Sequence, residues 1–137
     1  MTDLSGEYGR HARERLEHDV IGWFATVRPD GRPDVVPVWF LWENDEILIY
    51  SRPEQQKLRN IAGNPQVALV LDDTRGGGDV VRISGRAEHI PGHALATEFP
   101  AYVSKYAGRI VNMGSNPDEF ARAYSAAIRV HPERISR

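Results

Sequence analysis

Residues 47–60 read Ile47-Leu48-Ile49-Tyr50-Ser51-Arg52-Pro53-Glu54-Gln55-Gln56-Lys57-Leu58-Arg59-Asn60, and their reading decides the fold. The apolar run 47–50 has the length and composition of a buried strand. Ser51 then stands where a helix N-cap belongs, with Pro53 in the first turn and Lys57 one turn further on, which predicts a helix over 53–62. A strand that feeds a helix N-terminus leaves free backbone N–H groups beside a hydroxyl, an arginine and a lysine. Such a corner can cradle a phosphate or a carboxylate. An ordinary strand-to-helix turn with solvated charges accounts for the same residues equally well.

Upstream, 20–27 alternates as a strand with Ile21, Trp23, Ala25 and Val27 on one face. Arg28-Pro29-Asp30-Gly31-Arg32-Pro33 forms a tight connection, because Pro presets φ and Asp-Gly supplies the positive-φ corner. The run 35–42 reads as a second strand, apolar on both faces and so expected to be covered on both. Pro37 cannot donate to a ladder and marks a bulge or a local edge. The turn Glu43-Asn44-Asp45-Glu46 leads into the strand 47–50.

Downstream, Gly63-Asn64-Pro65 stops the helix and 66–71 makes a fourth strand. The loop 72–79, with Gly76-Gly77-Gly78, reads as a hairpin tip; no Gly-Lys-Ser/Thr follows, so it is not a P-loop. Over 80–90, Val81, Ile83, Gly85 and Ala87 alternate with Arg82, Ser84, Arg86 and Glu88, the clearest half-buried strand in the chain. Leu95, Phe99, Tyr102, Val103 and Tyr106 recur at helical spacing over 93–106, split or kinked at Pro100, and read as core rather than as a cofactor box. Asn116 caps and Pro117 starts another short helix, and 126–130 makes a sixth strand. A charged helix over 5–18 precedes all of this, with few apolar positions, His11 and His18 reading as solvated.

The chain has 137 residues, 15.4 kDa, and is expected to form one domain over 1–137. Its parts would be an N-terminal helix in 1–19, barrel strands with the cradle in 20–90, helices in 91–123, and a last strand with the C-terminus in 124–137. A mainly β fold with helices fits the element order: no strand–helix alternation runs through it, which points to a small antiparallel barrel. The net charge of -2 offers no footprint for nucleic acid. There is no cysteine, hence neither disulfide nor thiolate chemistry. No apolar run reaches the roughly 18 residues of a membrane span and no leader opens the chain, so a cytoplasmic location is expected. Of 17 basic residues only Lys57 and Lys105 are lysines, which makes a lysine inside the cradle stand out.

Self-contained catalytic sets are not visible. The five histidines form no HExxH and no convincing metal site, and neither a nucleophile elbow nor a dinucleotide glycine fingerprint occurs. An enzyme built this way would take its difficult chemistry from an organic cofactor.

The segments Thr26-Val27-Arg28-Pro29-Asp30-Gly31-Arg32-Pro33, Pro37-Val38-Trp39-Phe40, Tyr50-Ser51, and Lys57-Leu58-Arg59-Asn60-Ile61-Ala62-Gly63-Asn64-Pro65-Gln66-Val67-Ala68-Leu69 occur in this order. Together they resemble the pyridoxamine 5'-phosphate oxidase-like split-barrel family, and within it the flavin/deazaflavin oxidoreductases that use coenzyme F420. Asn112-Met113-Gly114-Ser115-Asn116-Pro117 resembles one subgroup of that branch. The resemblance implies a six-stranded antiparallel split β-barrel, a homodimer with two cofactors at the subunit interface, and a small-molecule substrate. It places the cofactor ring against Pro37, Val38, Trp39 and Phe40, beside Tyr50. It gives the ribityl phosphate to Ser51, Arg52, Gln56 and Lys57, with Arg59 either structural or a second phosphate contact. The family's C-terminal signature for a phosphorylated pyridoxamine is missing, so that activity is not expected. F420 is favoured over FMN by the branch resemblance and the arginine-rich composition; Arg52, Arg59, Arg75 and Arg109 are available for its longer anionic tail. The expected function is hydride transfer between reduced F420 and an enone or quinone. The alternatives are FMN-dependent oxidase or reductase chemistry, or a non-catalytic carrier of F420, flavin or haem. No acid–base residue is assigned, although Tyr102, Tyr106, Tyr124 or solvent could protonate a product.

Overall fold

The computed structural model describes residues 4–73 and 76–137, so the tip of the 72–79 loop, with Arg75, lies outside the described residues. In chain order the elements are α1 (Gly6–His18), β1 (Ile21–Val27), β2 (Pro33–Trp39), β3 (Leu41–Glu43), β4 (Glu46–Ser51), α2 (Gln56–Gly63), β5 (Gln66–Leu71), β6 (Arg82–Ile90), a 3-10 turn (Ala96–Glu98), α3 (Pro100–Asn112), α4 (Pro117–Ala123) and β7 (Ala126–Ser136). All seven strands join one antiparallel sheet in the order β2-β1-β5-β6-β7-β4-β3.

That order explains the shape. β2 and β3 are separated by Phe40 alone, yet they occupy opposite edges of the sheet. One residue spans less than about 4 Å, so the two edges must come together and the sheet must curl into a half-barrel that is not closed by a ladder. The expected six strands are therefore seven, because the apolar run 35–42 is cut at Phe40. Phe40 leaves the ladders: its N–H donates to Tyr106 Oη at 2.9 Å, while its carbonyl accepts from Lys105 Nζ at 2.9 Å and Tyr106 Oη at 3.0 Å. Pro37 sits on the edge strand β2, where its missing N–H costs no ladder bond. β2 is not covered on both faces within this chain: Val35 remains 55% exposed.

Side chains of the curled sheet feed two cores by strict alternation. From β4, Ile47 and Ile49 enter the barrel interior with Phe24, Phe40, Leu69, Ile83 and Ile128. Leu48 and Tyr50 point the other way, into a second cluster with Tyr102, Tyr106, Ile110 and Phe120 from α3 and α4. In β1 the buried positions are Gly22, Phe24 and Thr26, so the face carrying Ile21, Trp23, Ala25 and Val27 is the outer one. α1 docks through Gly9, Ala12 and Leu16. His11, expected to stand free in solvent, is exposed but meets Asp79 at 2.7 Å, and this bond is the main cause holding the Asp79 carboxyl below its ordinary range.

Two further expectations are corrected. α2 begins at Gln56 with Gln55 as its N-cap, not at Pro53 behind Ser51. Ser51 pairs with Ala126 at the end of the β4–β7 ladder, which keeps it extended, and Arg52–Gln55 form a turn before the helix. The last strand runs through Ser136 rather than stopping at 130. Its Pro132 is tolerated because the β6–β7 register shifts between Ser84 and Gly85, and a Cβ on Gly85 would collide with the His131 carbonyl. Pro100 splits its helical stretch, and Asn116 caps α4 by accepting from the Glu119 N–H at 2.9 Å.

Candidate functional site

A cavity of about 220 Å³ opens between the edge strand β2, the end of β4, the first turn of α2 and the helical cover. β2 contributes Pro37, Val38 and Trp39, β4 contributes Tyr50, and α2 contributes Lys57. The remaining wall consists of Ile21, Tyr102, Met113, Phe120 and Tyr124. The strand-then-helix stretch thus does meet the Pro37–Trp39 segment in space, because curling brings the β2 edge over to β4.

Half of the lining residues are flat rings, held by one another and by Tyr106. Trp39 stacks on Tyr106 with centroids 4.6 Å apart and planes 9° apart, and on Phe120 at 5.4 Å. Phe120 in turn stacks on Tyr124 at 4.4 Å, and Tyr102 meets Tyr50 edge-on at 5.1 Å. Stacked and edge-on rings of this kind fix each other beyond simple area burial. The guanidinium of Arg52 lies over the Tyr124 ring at 4.8 Å, at the rim.

Charge in the cavity is sparse. Lys57 is half-buried and has no hydrogen bond or ion pair among the described residues; burial lowers its pKa, opposed only by the more distant Asp34 carboxylate. An ammonium desolvated without a counter-ion is ready to accept an anion. The three phenols differ in what they do. Tyr50 donates to the Ala94 carbonyl at 2.7 Å, and Tyr106 donates to the Val20 carbonyl at 2.7 Å. The Tyr102 hydroxyl is buried and has no partner among the described residues. Burial pushes the pKa of all three upward, so they remain protonated at neutral pH.

The ten residues singled out from sequence separate into three groups. Pro37, Val38, Trp39, Tyr50 and Lys57 line the cavity, and Arg52 stands at its rim through Tyr124. Phe40 is fully buried inside the barrel, with Lys105 Nζ 4.0 Å from its ring centre. Ser51, Gln56 and Arg59 are engaged elsewhere: Ser51 Oγ donates to the Arg52 carbonyl at 2.9 Å, Gln56 donates to Asn60 at 2.8 Å, and Arg59 donates to Gln56 at 2.6 Å and the Glu54 carbonyl at 3.0 Å. The four-residue cradle is therefore reduced here to Lys57 with Arg52 nearby. Ile21, Met113 and Phe120 were not anticipated. Tyr102 proves to be both core and cavity wall; its helical periodicity signalled only the core half.

A larger cleft of about 540 Å³ lies between α1 and the 72–79 loop, lined by Arg15, Asp19, Asp72, Asp79 and Arg109 among others. Its main charges satisfy each other, Arg15 meeting Asp19 at 2.6 Å and Asp79 at 2.9 Å. Among the described residues no group of three His, Asp or Glu side chains is arranged to hold a metal ion, and no helix is long and apolar enough to cross a membrane.

Comparison with known proteins places the chain in a family. A family model described as pyridoxamine 5'-phosphate oxidase matches residues 9–137. A solved structure named F420 reductase is 29% identical, with a TM-score of 0.71, covering 90% of this chain and 94% of that one. Two others share the fold at lower identity. One is a conserved hypothetical protein from Mycobacterium tuberculosis (20% identity, TM-score 0.70, 97% and 86% coverage). The second is a FAD-binding protein from Mesorhizobium loti (21% identity, TM-score 0.66, 92% and 90% coverage). No curated protein matches the chain.

Proposed function

The chain belongs to the pyridoxamine 5'-phosphate oxidase family, and from that premise we propose that it is an oxidoreductase whose cavity receives the ring of a flavin-type cofactor, with F420 preferred over FMN. The observation that carries this reading is the pairing of aromatic walls with one desolvated ammonium, Lys57, that has no partner among the described residues. Such a site suits a planar, partly apolar ring attached to an anionic tail. The preference for F420 is supported by the 29% identity to a protein of that name.

When bound, the cofactor supplies hydride chemistry toward a small acceptor, an enone or quinone. The chain's own part is binding, orientation and exclusion of water. Lys57 holds the anionic tail and Arg52 adds charge at the rim. Trp39, Phe120 and Tyr124 offer flat apolar surface to the ring, and their mutual stacking keeps that surface rigid.

The proposal extends to a homodimer. The cavity is smaller than the ~300–1,000 Å³ usual for a complete ligand site, which fits a site completed by a second copy. The open edge strand β2 carries Val35, 55% exposed, and the neighbouring β1 carries Trp23, 41% exposed.

Equilibrium titration of the purified protein with F420 and FMN in parallel, read by fluorescence, tests the reading. F420 binding tighter than FMN by about tenfold or more (~1.4 kcal/mol) supports it. The reverse order moves the assignment to flavin chemistry. Binding without turnover of enone or quinone acceptors assigns the protein as a carrier.

A further inference from the structure

Two of the residues that line the cavity are exposed, Pro37 on the β2 edge and Met113 just past the end of α3, and between them they mark its mouth. Met113 is large and apolar, yet 52% exposed, and it belongs to neither core. Its backbone is firmly held. The Met113 N–H donates to the Arg109 carbonyl at 3.1 Å, the Gly114 N–H to the Val111 carbonyl at 2.9 Å, and the Ser115 N–H to the Ile110 carbonyl at 3.1 Å. Gly114 takes the positive φ, 82°, that this helix ending requires, and Asn116 then caps α4. The corner between α3 and α4 thus fixes where residue 113 stands. The φ of Met113 itself is negative, -86°, so its side chain can be exchanged without backbone strain.

We infer that Met113 is a specificity-determining residue, whose side chain meets the hydride acceptor at the mouth of the cavity and favours flat apolar acceptors such as quinones over small enones. The inference rests on the cofactor reading above and deepens it. A carbon that receives a hydride must come within about 3–3.5 Å of the donor, so the acceptor has to enter by the mouth. A cavity of about 220 Å³ is too small to take up a cofactor ring and an acceptor together, and the outer part of the acceptor stays between the jaws. With the ring against Pro37–Trp39 and its tail at Lys57, the jaw left for the acceptor is Met113. The lining's one charged side chain, Lys57, serves the tail, which leaves apolar contact as the means of recognition. Methionine suits that task, since its unbranched, polarisable thioether adapts to flat rings and packs well on them. The acceptor takes a hydride from the reduced cofactor and a proton from solvent. Met113 takes part in neither transfer and acts by contact alone.

The test compares Met113→Ala and Met113→Leu with the wild-type chain and with Val111→Ala, a truncation at an exposed apolar residue of the same helix end that does not line the cavity. Cofactor affinity is read by fluorescence titration. KM and kcat are read from oxidation of whichever reduced cofactor the wild type binds, with menadione and with cyclohexenone as acceptors. Met113→Ala is expected to raise the KM for menadione about 5–10-fold, the worth of part of one apolar side chain. Cofactor affinity, kcat and the KM for cyclohexenone are each expected to stay within about twofold, the pattern of a lost ground-state contact. Met113→Leu is expected to restore most of the menadione KM, and Val111→Ala to leave it unchanged. An unchanged menadione KM in Met113→Ala overturns the inference, as does an equal rise in Val111→Ala. Weaker cofactor binding by Met113→Ala also overturns it, assigning the side chain to the cofactor, and a smaller species on gel filtration does so in favour of a contact with a second copy. Wild-type protein that binds a cofactor but turns over neither acceptor overturns the inference and leaves the cofactor reading in place. Wild-type protein that binds neither F420 nor FMN removes the cofactor reading, and this inference with it.

Discussion

Trp39 lies flat on Tyr106, their ring centroids 4.6 Å apart, and the hydroxyl of that same Tyr106 binds the N–H and carbonyl of Phe40, the next residue along. One side chain thus backs the cavity wall and secures the point where the chain crosses from one sheet edge to the other. Fold closure and site geometry are coupled through a single phenol.

Tyr106→Phe keeps the stacked ring and deletes the hydroxyl. The buried Phe40 N–H then loses its partner, and the Val20 carbonyl loses a donor. The expected outcome is a loss of about 1–3 kcal/mol in unfolding free energy, measured by urea denaturation. An unchanged midpoint at equal slope would mean that water or a backbone shift replaces the hydroxyl.

The crossing at Phe40 shows where sequence reading reaches its limit. The strands were legible because period-2 alternation is a local property, as in Val81, Ile83, Gly85 and Ala87. The break between β2 and β3 was not, since Phe40 is as apolar as its neighbours and leaves the ladder only because Tyr106 and Lys105, more than sixty residues away, capture its backbone. Ser51 misled for a related reason: serine before Pro53 is a sound local cap signal, but pairing with Ala126 holds it in the strand. Lys57 stood out in the sequence and lines the cavity beside Tyr50 because β4 and α2 are neighbours in the chain, whereas Met113 and Phe120 come to the cavity only through the docking of α3 and α4.

At Gly85 the sheet requires the absence of a side chain rather than any φ freedom. A Cβ there would overlap the His131 carbonyl, backbone that cannot swing aside. Gly85→Ala is expected to destabilise by about 1–3 kcal/mol as an overpacked site, read as a lower urea midpoint. Gly63→Ala, where a Cβ meets nothing within 4 Å, serves as the tolerant control.

His131 supplies a pH dependence. Its ring meets Glu88 at 2.8 Å and also Glu46, and these carboxylates, Glu88 first, raise its pKa above 6.5. The folded state therefore holds the proton more tightly than the unfolded one. The stabilisation is fully present below about pH 6.5 and is lost as pH climbs through the folded pKa. Relative to His131→Gln, the wild type is expected to gain thermal stability on going from pH 8 to about pH 6. The half-exposed ring keeps the effect small. Parallel melting curves at both pH values would show that the imidazole is not coupled to either carboxylate.

Lys57 gives the sharpest separation of stability from binding. Lys57→Met keeps the apolar stem and removes an ammonium that has no partner among the described residues, so ligand-free stability is expected to hold or to improve. Loss of a charge-assisted contact should weaken an anionic cofactor by about 1.5–3 kcal/mol, roughly 10–150-fold. pH supplies a second signature. Burial lowers the lysine pKa below 10.5, so wild-type affinity should fall as alkaline pH strips the proton, while the methionine variant stays flat over the same range. A wild-type affinity that is flat up to pH 10, together with unchanged binding by the variant, would move the anion to Arg52 and leave Lys57 without a role in the cavity.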